Sequence, residues 1–130
     1  KMDARAGLMA AYDADIFLSS ANAITSDGVM VNIDGNSNRV SCIAQGPRKV
    51  IFIVGMNKVC ADLDSAMKRA RNVAAPINAQ RFDIKTPCKE IGKCFDCKSP
   101  DTICCQFLIT RYSRHTDRIH VILVNDTIGY

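Results

Sequence analysis

The chain has 130 residues, 48% of them apolar and 23% charged, with a formal charge of +4. That profile fits one globular domain and excludes a disordered or fibrous chain. Its longest apolar runs, "VIFIV" and "VILV", are too short to span a bilayer, and its basic residues are scattered where a nucleic-acid binder shows a dense basic face. Neither nucleic acid nor membrane is therefore expected as a partner. The opening "KMDARAGLMAAYDAD" has neither the apolar core of a signal peptide nor the Arg/Ser bias of a transit peptide. With no export signal visible, a cytoplasmic location is expected, where clustered cysteines point to metal or redox chemistry before disulfides.

In chain order, Leu8, Met9 and Tyr12 at helical spacing predict a short helix over residues 3–12. "DIFLSS" (residues 15–20) reads as a buried strand, "ANAITSDG" as the connection after it, and "VMVNI" as a second strand closed by the turn "DGNSN". That turn opens like a calcium loop, but Arg39 stands where the loop needs Gly and Gln45 where it needs Glu. A plain Asx/Gly turn is expected. "NRVSCIAQG" predicts a short helix ending at Gly46. "RKVIFIVG" (residues 48–55) is a β-branched run of the kind found in parallel sheets buried on both faces. Leu63, Ala66, Met67, Ala70, Val73 and Ala74 step by three and four, predicting an amphipathic helix capped by Asp62 and stopped by Pro76. "QFLITRY" and "RIHVILV" predict a hairpin or a pair of edge strands. Strands alternating with helices give an α/β layered fold with a mostly parallel sheet and flanking helices, read as one domain over residues 1–130.

Five of the seven cysteines fall within residues 85–105, spaced Cys88-x5-Cys94-x2-Cys97-x6-Cys104 with Cys105 adjacent. The Cys94–Cys97 pair has knuckle spacing, and Pro87, Gly92 and Pro100 bend the chain so that the outer cysteines can return. Cys88, Cys94, Cys97 and Cys104 are the candidate metal ligands, a closed all-thiolate set suited to an iron–sulfur cluster or structural zinc. A single knuckle with uneven gaps puts the cluster first. Thiols packed without metal, or a dithiol pair at Cys94 and Cys97, is the remaining reading. Lys85, Lys89, Lys93 and Lys98 would offset the charge of either metal centre. Cys42 and Cys60 read as bystanders, and neither His115 nor His120 sits in a metal-spaced pair.

"SSANAIT" and "GMNK" each follow a strand, so their polar groups can converge at the carboxyl edge of a sheet. Asn22, Thr25, Asp27, Asn57 and Lys58 are the candidate ligand-binding set, suited to a small organic acid or a phosphate-bearing ligand. Arg39, Arg69, Arg71 and Arg81 are available for anion pairing, and a solvated helix face accounts equally for Arg69 and Arg71.

The ordered segments "ADIFLSSANAITSDGVMVNIDGNSNRV", "GPRKVIFIVGMNK", "RARNVAAPINAQR", "TPCKEIGKCFDCKSPDTICC" and "RIHVILVNDTIGY" resemble the LUD-domain family of lactate utilization proteins. Within it, they resemble the branch with a four-cysteine loop near the C-terminus, over about residues 14–130. The resemblance implies a fold like that of the sugar-isomerase/CoA-transferase and formyltetrahydrofolate cyclo-ligase group. It also implies an accessory or redox role in oxidation of lactate or a related organic acid, with redox partner subunits. Two alternatives stand beside it: an enzyme of CoA-transferase or cyclo-ligase type using the cleft directly, and a non-catalytic module stapled by zinc. Family members carry an upstream portion with a Gly-Gly-Ser loop, so the sheet is expected to be completed by an N-terminal segment or a second chain.

Overall fold

The computed structural model describes residues 3–130. Helix α1 (Ala4–Tyr12) is capped by Asp3, whose carboxylate accepts the Ala6 N–H at 2.8 Å. Strands β1 (Ile16–Ser19), β2 (Ala23–Thr25) and β3 (Met30–Asp34) follow, then α2 (Asn38–Ala44) and β4 (Lys49–Gly55). A 3₁₀ turn (Met56–Lys58) leads into the two-residue β5 (Val59–Cys60). Helix α3 (Leu63–Arg69), a π-helical turn (Ala70–Ala74) and α4 (Ala75–Ala79) run on continuously. Short α5 (Pro87–Ile91) opens the cysteine loop, and β6 (Gln106–Thr110) and β7 (Ile119–Val124) close the fold.

The fold is α/β, as the alternation of elements predicts. One sheet, in order β1-β4-β7, is wholly parallel; the other, β5-β2-β3-β6, pairs β2 with β5 in parallel and β3 with β2 and β6 in antiparallel. Strand β3 is buried along its whole length because both faces of its sheet are covered. Met30 and Ile24 face Val50, Phe52 and Val54 of β4 and Ile43 of α2. Val31, Ile33 and Ala23 face the other way, onto Ala66 and Ala70. Period-two alternation therefore feeds two cores from one strand.

Two expectations are corrected, and a third is resolved between its alternatives. The long helix does not stop at Pro76 but continues to Ala79. The π turn directs the Ala75 N–H to the Ala70 carbonyl, one residue wider than an α-helical bond, and Pro76, which has no N–H to donate, follows directly on that widened turn. Of the two readings of β6 and β7, the edge strands hold and the hairpin does not: each lies at an edge of a different sheet. The β4 run is not covered on both faces: Val50, Phe52 and Val54 are buried, but Ile53 is exposed, beside Ile16, Leu18 and Ile122 of the neighbouring strands. Leu18 is 63% exposed, so the outer face of the parallel sheet presents an aliphatic surface.

Arg118, just before β7, is buried without a carboxylate among its hydrogen-bond partners. Its guanidinium donates to the carbonyls of Pro47 (3.1 Å), Ile43 (2.7 Å) and Cys42 (3.1 Å), so it ties β7 to the C-terminal end of α2. Cationic groups are favoured there because the last helical carbonyls lack partners and carry the negative end of the helix dipole. Arg118→Ala should lower the unfolding free energy by about 2 kcal/mol, the scale of a charge-assisted hydrogen bond. Chemical denaturation measures this, and an unchanged midpoint would remove the role assigned to this side chain.

Candidate functional site: a thiol-lined cavity beside a basic cleft

Cys88, Cys94, Cys97, Cys104 and Cys105 line one cavity of about 420 Å³, together with Arg71, Phe95 and Phe107 among others. Helix α5 carries Cys88 and ends at Gly92, whose left-handed backbone (φ 74°) reverses the chain toward Cys94. Asp96 adopts φ 53° between Cys94 and Cys97, and its N–H points at the Cys94 sulfur at 3.4 Å. This is how two residues turn a Cys-x-x-Cys pair onto one side. The loop is fastened to the π turn. Arg71 donates to Cys94 Sγ (3.4 Å) and to the Asp96 carboxylate (2.7 Å), and Asn72 Oδ1 accepts the Cys94 N–H (3.1 Å). Thr86 contacts Cys88 Sγ at 3.4 Å, and Cys97 Sγ lies 3.6 Å from Thr102 Oγ1.

Cys88 is the buried cysteine of the loop, while Cys104 is half-buried and faces the other four thiols. Burial pushes the Cys104 thiol up to about 11, and Cys94, Cys88, Cys97 and Cys105 push the same way. The five cysteines therefore share a cavity, while among the described residues no three Cys, His, Asp or Glu side chains converge to metal-ligand geometry. Of the four loop lysines, Lys98 lines the cavity, whereas the Lys89 ammonium donates to the Phe82 carbonyl.

A second cavity, of about 690 Å³, lies at the strand ends. Ser20 follows β1 and Lys58 follows β4, and since these strands are parallel both residues emerge at the carboxyl edge. Lys58 is 5% exposed and its ammonium donates to Ser20 Oγ at 3.0 Å. Burial lowers its pKa, and the nearby Arg69 and Arg39 guanidiniums lower it further. Asn22 Oδ1 accepts from the Ile33 N–H and from Arg39 Nη2, both at 2.8 Å. Arg81, Asn78 and Tyr130 line the far wall. There the Tyr130 hydroxyl donates to Asn78 Oδ1 (2.8 Å) and Arg81 Nη1 donates to the Tyr130 oxygen (3.0 Å).

Of the predicted ligand set, Asn22 and Lys58 line this cleft together. Thr25 and Asp27 do not line it: the Thr25 hydroxyl donates to the Asp27 carboxylate and accepts the Val29 N–H, so both serve the β2–β3 turn. Asn57 is one step outside. Its side-chain amide donates to the Gly129 carbonyl (3.2 Å) and accepts the Ile128 N–H (3.3 Å), which holds that segment beside Lys58. The approach is close enough that a Cβ on Gly55 would lie 2.7 Å from the Ile128 nitrogen. Arg69 is a clamp, donating to the carbonyls of Asn22 (2.6 Å) and Asn57 (3.0 Å). Sequence reasoning missed Tyr130, whose only signal is its polar ring after a glycine, and Ser20, which it quoted within "SSANAIT" without singling it out.

Thr102 and Cys105 line both cavities. The Cys105 N–H donates to the Asp34 carbonyl (2.8 Å), and the Asp34 carboxylate pairs with Arg39 (2.9 Å) in the cleft wall. The thiol cavity and the basic cleft are thus adjacent compartments.

An α/β domain with a basic cleft at its strand ends and a cysteine-lined cavity sharing its wall is the class of protein these features define. The LUD domain matches residues 3–124, nearly the whole chain, and the protein belongs to that family. Membership supports a role associated with lactate utilization. No curated protein and no solved structure matches the chain. Among the described residues no helix is long and apolar enough to cross a membrane.

The lowered pKa of Lys58 has a sign in stability. Between its folded value and the ordinary 10.5, the unfolded chain holds a proton that the folded chain has released, so stability rises with pH across that window. Below the folded value both states are protonated and burial of the charge weighs against folding in full. The unfolding free energy of the wild type relative to Lys58→Met should therefore increase as pH is raised from neutral toward 10.5. Denaturant melts across that range test it, and a pH-independent difference would contradict the assignment.

Proposed function

We propose that this protein serves oxidation of lactate or a related organic acid in an accessory or redox role, with a metal centre held by Cys88, Cys94, Cys97 and Cys104. The observation that carries the reading is the wall formed by Thr102 and Cys105, common to the thiol cavity and the basic cleft. In this reading an electron carrier in the thiol cavity would lie next to an anion in the cleft.

The chemistry of the donors, though not yet their spacing, suits such a group. The donor set is all sulfur, the preference of soft metals. The Asp96 N–H and the Arg71 guanidinium both point at Cys94 Sγ, the kind of outer-sphere donor that stabilises a thiolate ligand. The carboxylate that lines the cavity, that of Asp96, is engaged by Arg71. The single Cys-x-x-Cys knuckle with uneven outer gaps favours an iron–sulfur cluster over zinc. A cluster supplies one-electron transfer, whereas zinc would act as a structural staple. In the cleft, Lys58, Asn22, Arg39 and Arg81 receive the acid or a phosphate-bearing ligand. Thiol ligation of this kind belongs to a reducing compartment, and we assign the protein to the cytoplasm on that ground. The exposed aliphatic face around Leu18, Ile53 and Ile122 is covered, in this reading, by a further segment or a second chain, and redox partner subunits complete the assembly.

Metal and acid-labile sulfide analysis of anaerobically purified protein tests the proposal. Iron and sulfide in near-equal amounts are expected, and Cys94→Ser should lose both while the far-ultraviolet spectrum of the folded sheets persists. Zinc without sulfide would replace the redox role by a structural one. Wild-type protein without any bound metal would overturn the metal centre.

A further inference from the structure

The amine of Lys58 has more in its surroundings than an anion-binding role uses. It is buried at the base of the cleft, with the Ser20 hydroxyl as its hydrogen-bond partner at 3.0 Å. Among the described residues the ion pairs are Arg39–Asp34, Lys68–Asp64 and Arg71–Asp96, so no carboxylate holds Lys58 in its charged form. Asp34 is the one carboxylate lining the cleft, and Arg39 engages it. The other ionisable groups there are Arg39 and Arg81, the Tyr130 phenol and the Cys105 thiol. A desolvated lysine beside fixed cations is the arrangement that favours the neutral, nucleophilic amine.

We propose that Lys58 is a carbonyl-capturing nucleophile that forms an imine with 2-oxo acids seated in the cleft. This rests on the cleft being an organic-acid site and goes beyond it by naming the ligand class and the covalent step. The Nζ lone pair attacks the C2 carbonyl and forms the C–N bond as the carbonyl π electrons move onto oxygen. The ammonium proton passes to that oxygen, with the Ser20 hydroxyl in place to relay it. Loss of water then leaves a C=N bond between Lys58 and the acid, with no net change in oxidation state. Arg39 and Arg81 supply the positive charge that the acid's carboxylate needs. A 2-oxo acid is what oxidation of a 2-hydroxy acid yields, so the amine would hold the product side of that chemistry.

The purified chain, incubated with pyruvate and sodium borohydride, should acquire one adduct, because hydride reduces the imine to a stable secondary amine. Digestion and mass spectrometry of the wild-type protein should place it on the peptide containing Lys58, with a mass gain of the acid less water plus two hydrogens. Lys58→Arg, which keeps the charge, should remove the adduct, and omission of borohydride should leave none. Equilibrium dialysis with labelled pyruvate, without borohydride, runs alongside. Binding with no adduct on Lys58, or adducts scattered over exposed lysines such as Lys68, would overturn the imine and leave the cleft reading intact. Neither binding nor adduct would overturn both.

Discussion

The Asp34 carboxylate accepts the backbone N–H groups of Arg39 (2.9 Å) and Val40 (2.8 Å) and the Arg39 guanidinium, while its own carbonyl accepts the Cys105 N–H. It can hold all of these because it ends β3, a strand fixed on both faces by packing. Helix α2 begins at Ser37 with no cap from that residue's own side chain, and Asp34 does the capping from outside. One residue therefore starts a helix, orients a cleft arginine and anchors the end of the cysteine loop. Displacing β3 would move both compartments together.

A similar economy governs the cleft. Arg69 pins the loops after β1 and β4 through the carbonyls of Asn22 and Asn57, and Asn57 in turn pins the segment at Ile128 and Gly129. Lys58 is buried within this frame, so its environment is set by hydrogen bonds made by its neighbours and not by a charge partner of its own. The thiol cavity is framed in the same manner by Arg71 and Asn72 of the π turn. A π turn widens the helix at the point where Pro76 would otherwise interrupt it, and the residues it displaces are the ones that reach the cysteine loop.

Much of this was legible in the sequence where a local cause dominates. The β-branched run of β4, the helical spacing of α1 and the Asp62 cap, whose carboxylate accepts the Ser65 N–H at 2.8 Å, are near-neighbour effects. Strand β2 was read as a connection because three residues, Ala23–Thr25, carry no periodicity of their own; they are a strand because β3 and β5 flank them. The sheet membership of β6 and β7 was equally hidden, since pairing partners distant in sequence decide it. For the site, cysteine spacing pointed to one shared centre because the loop is short; the structure gathers the thiols around one cavity without bringing three of them to metal-ligand geometry. The roles of Arg69 and Arg118 stayed hidden, since an arginine that binds carbonyls looks in sequence like one on a solvated face. Thr25 and Asp27 illustrate the converse, polar residues whose nearest partners are each other and the turn backbone.

The proposed function rests above all on the cysteines acting on one metal centre. X-ray absorption at the metal edge of protein purified without oxygen measures this directly. A first shell made only of sulfur at about 2.3 Å is the expected result. Nitrogen or oxygen in the first shell, or a signal that vanishes when loosely held metal is washed away, would contradict it.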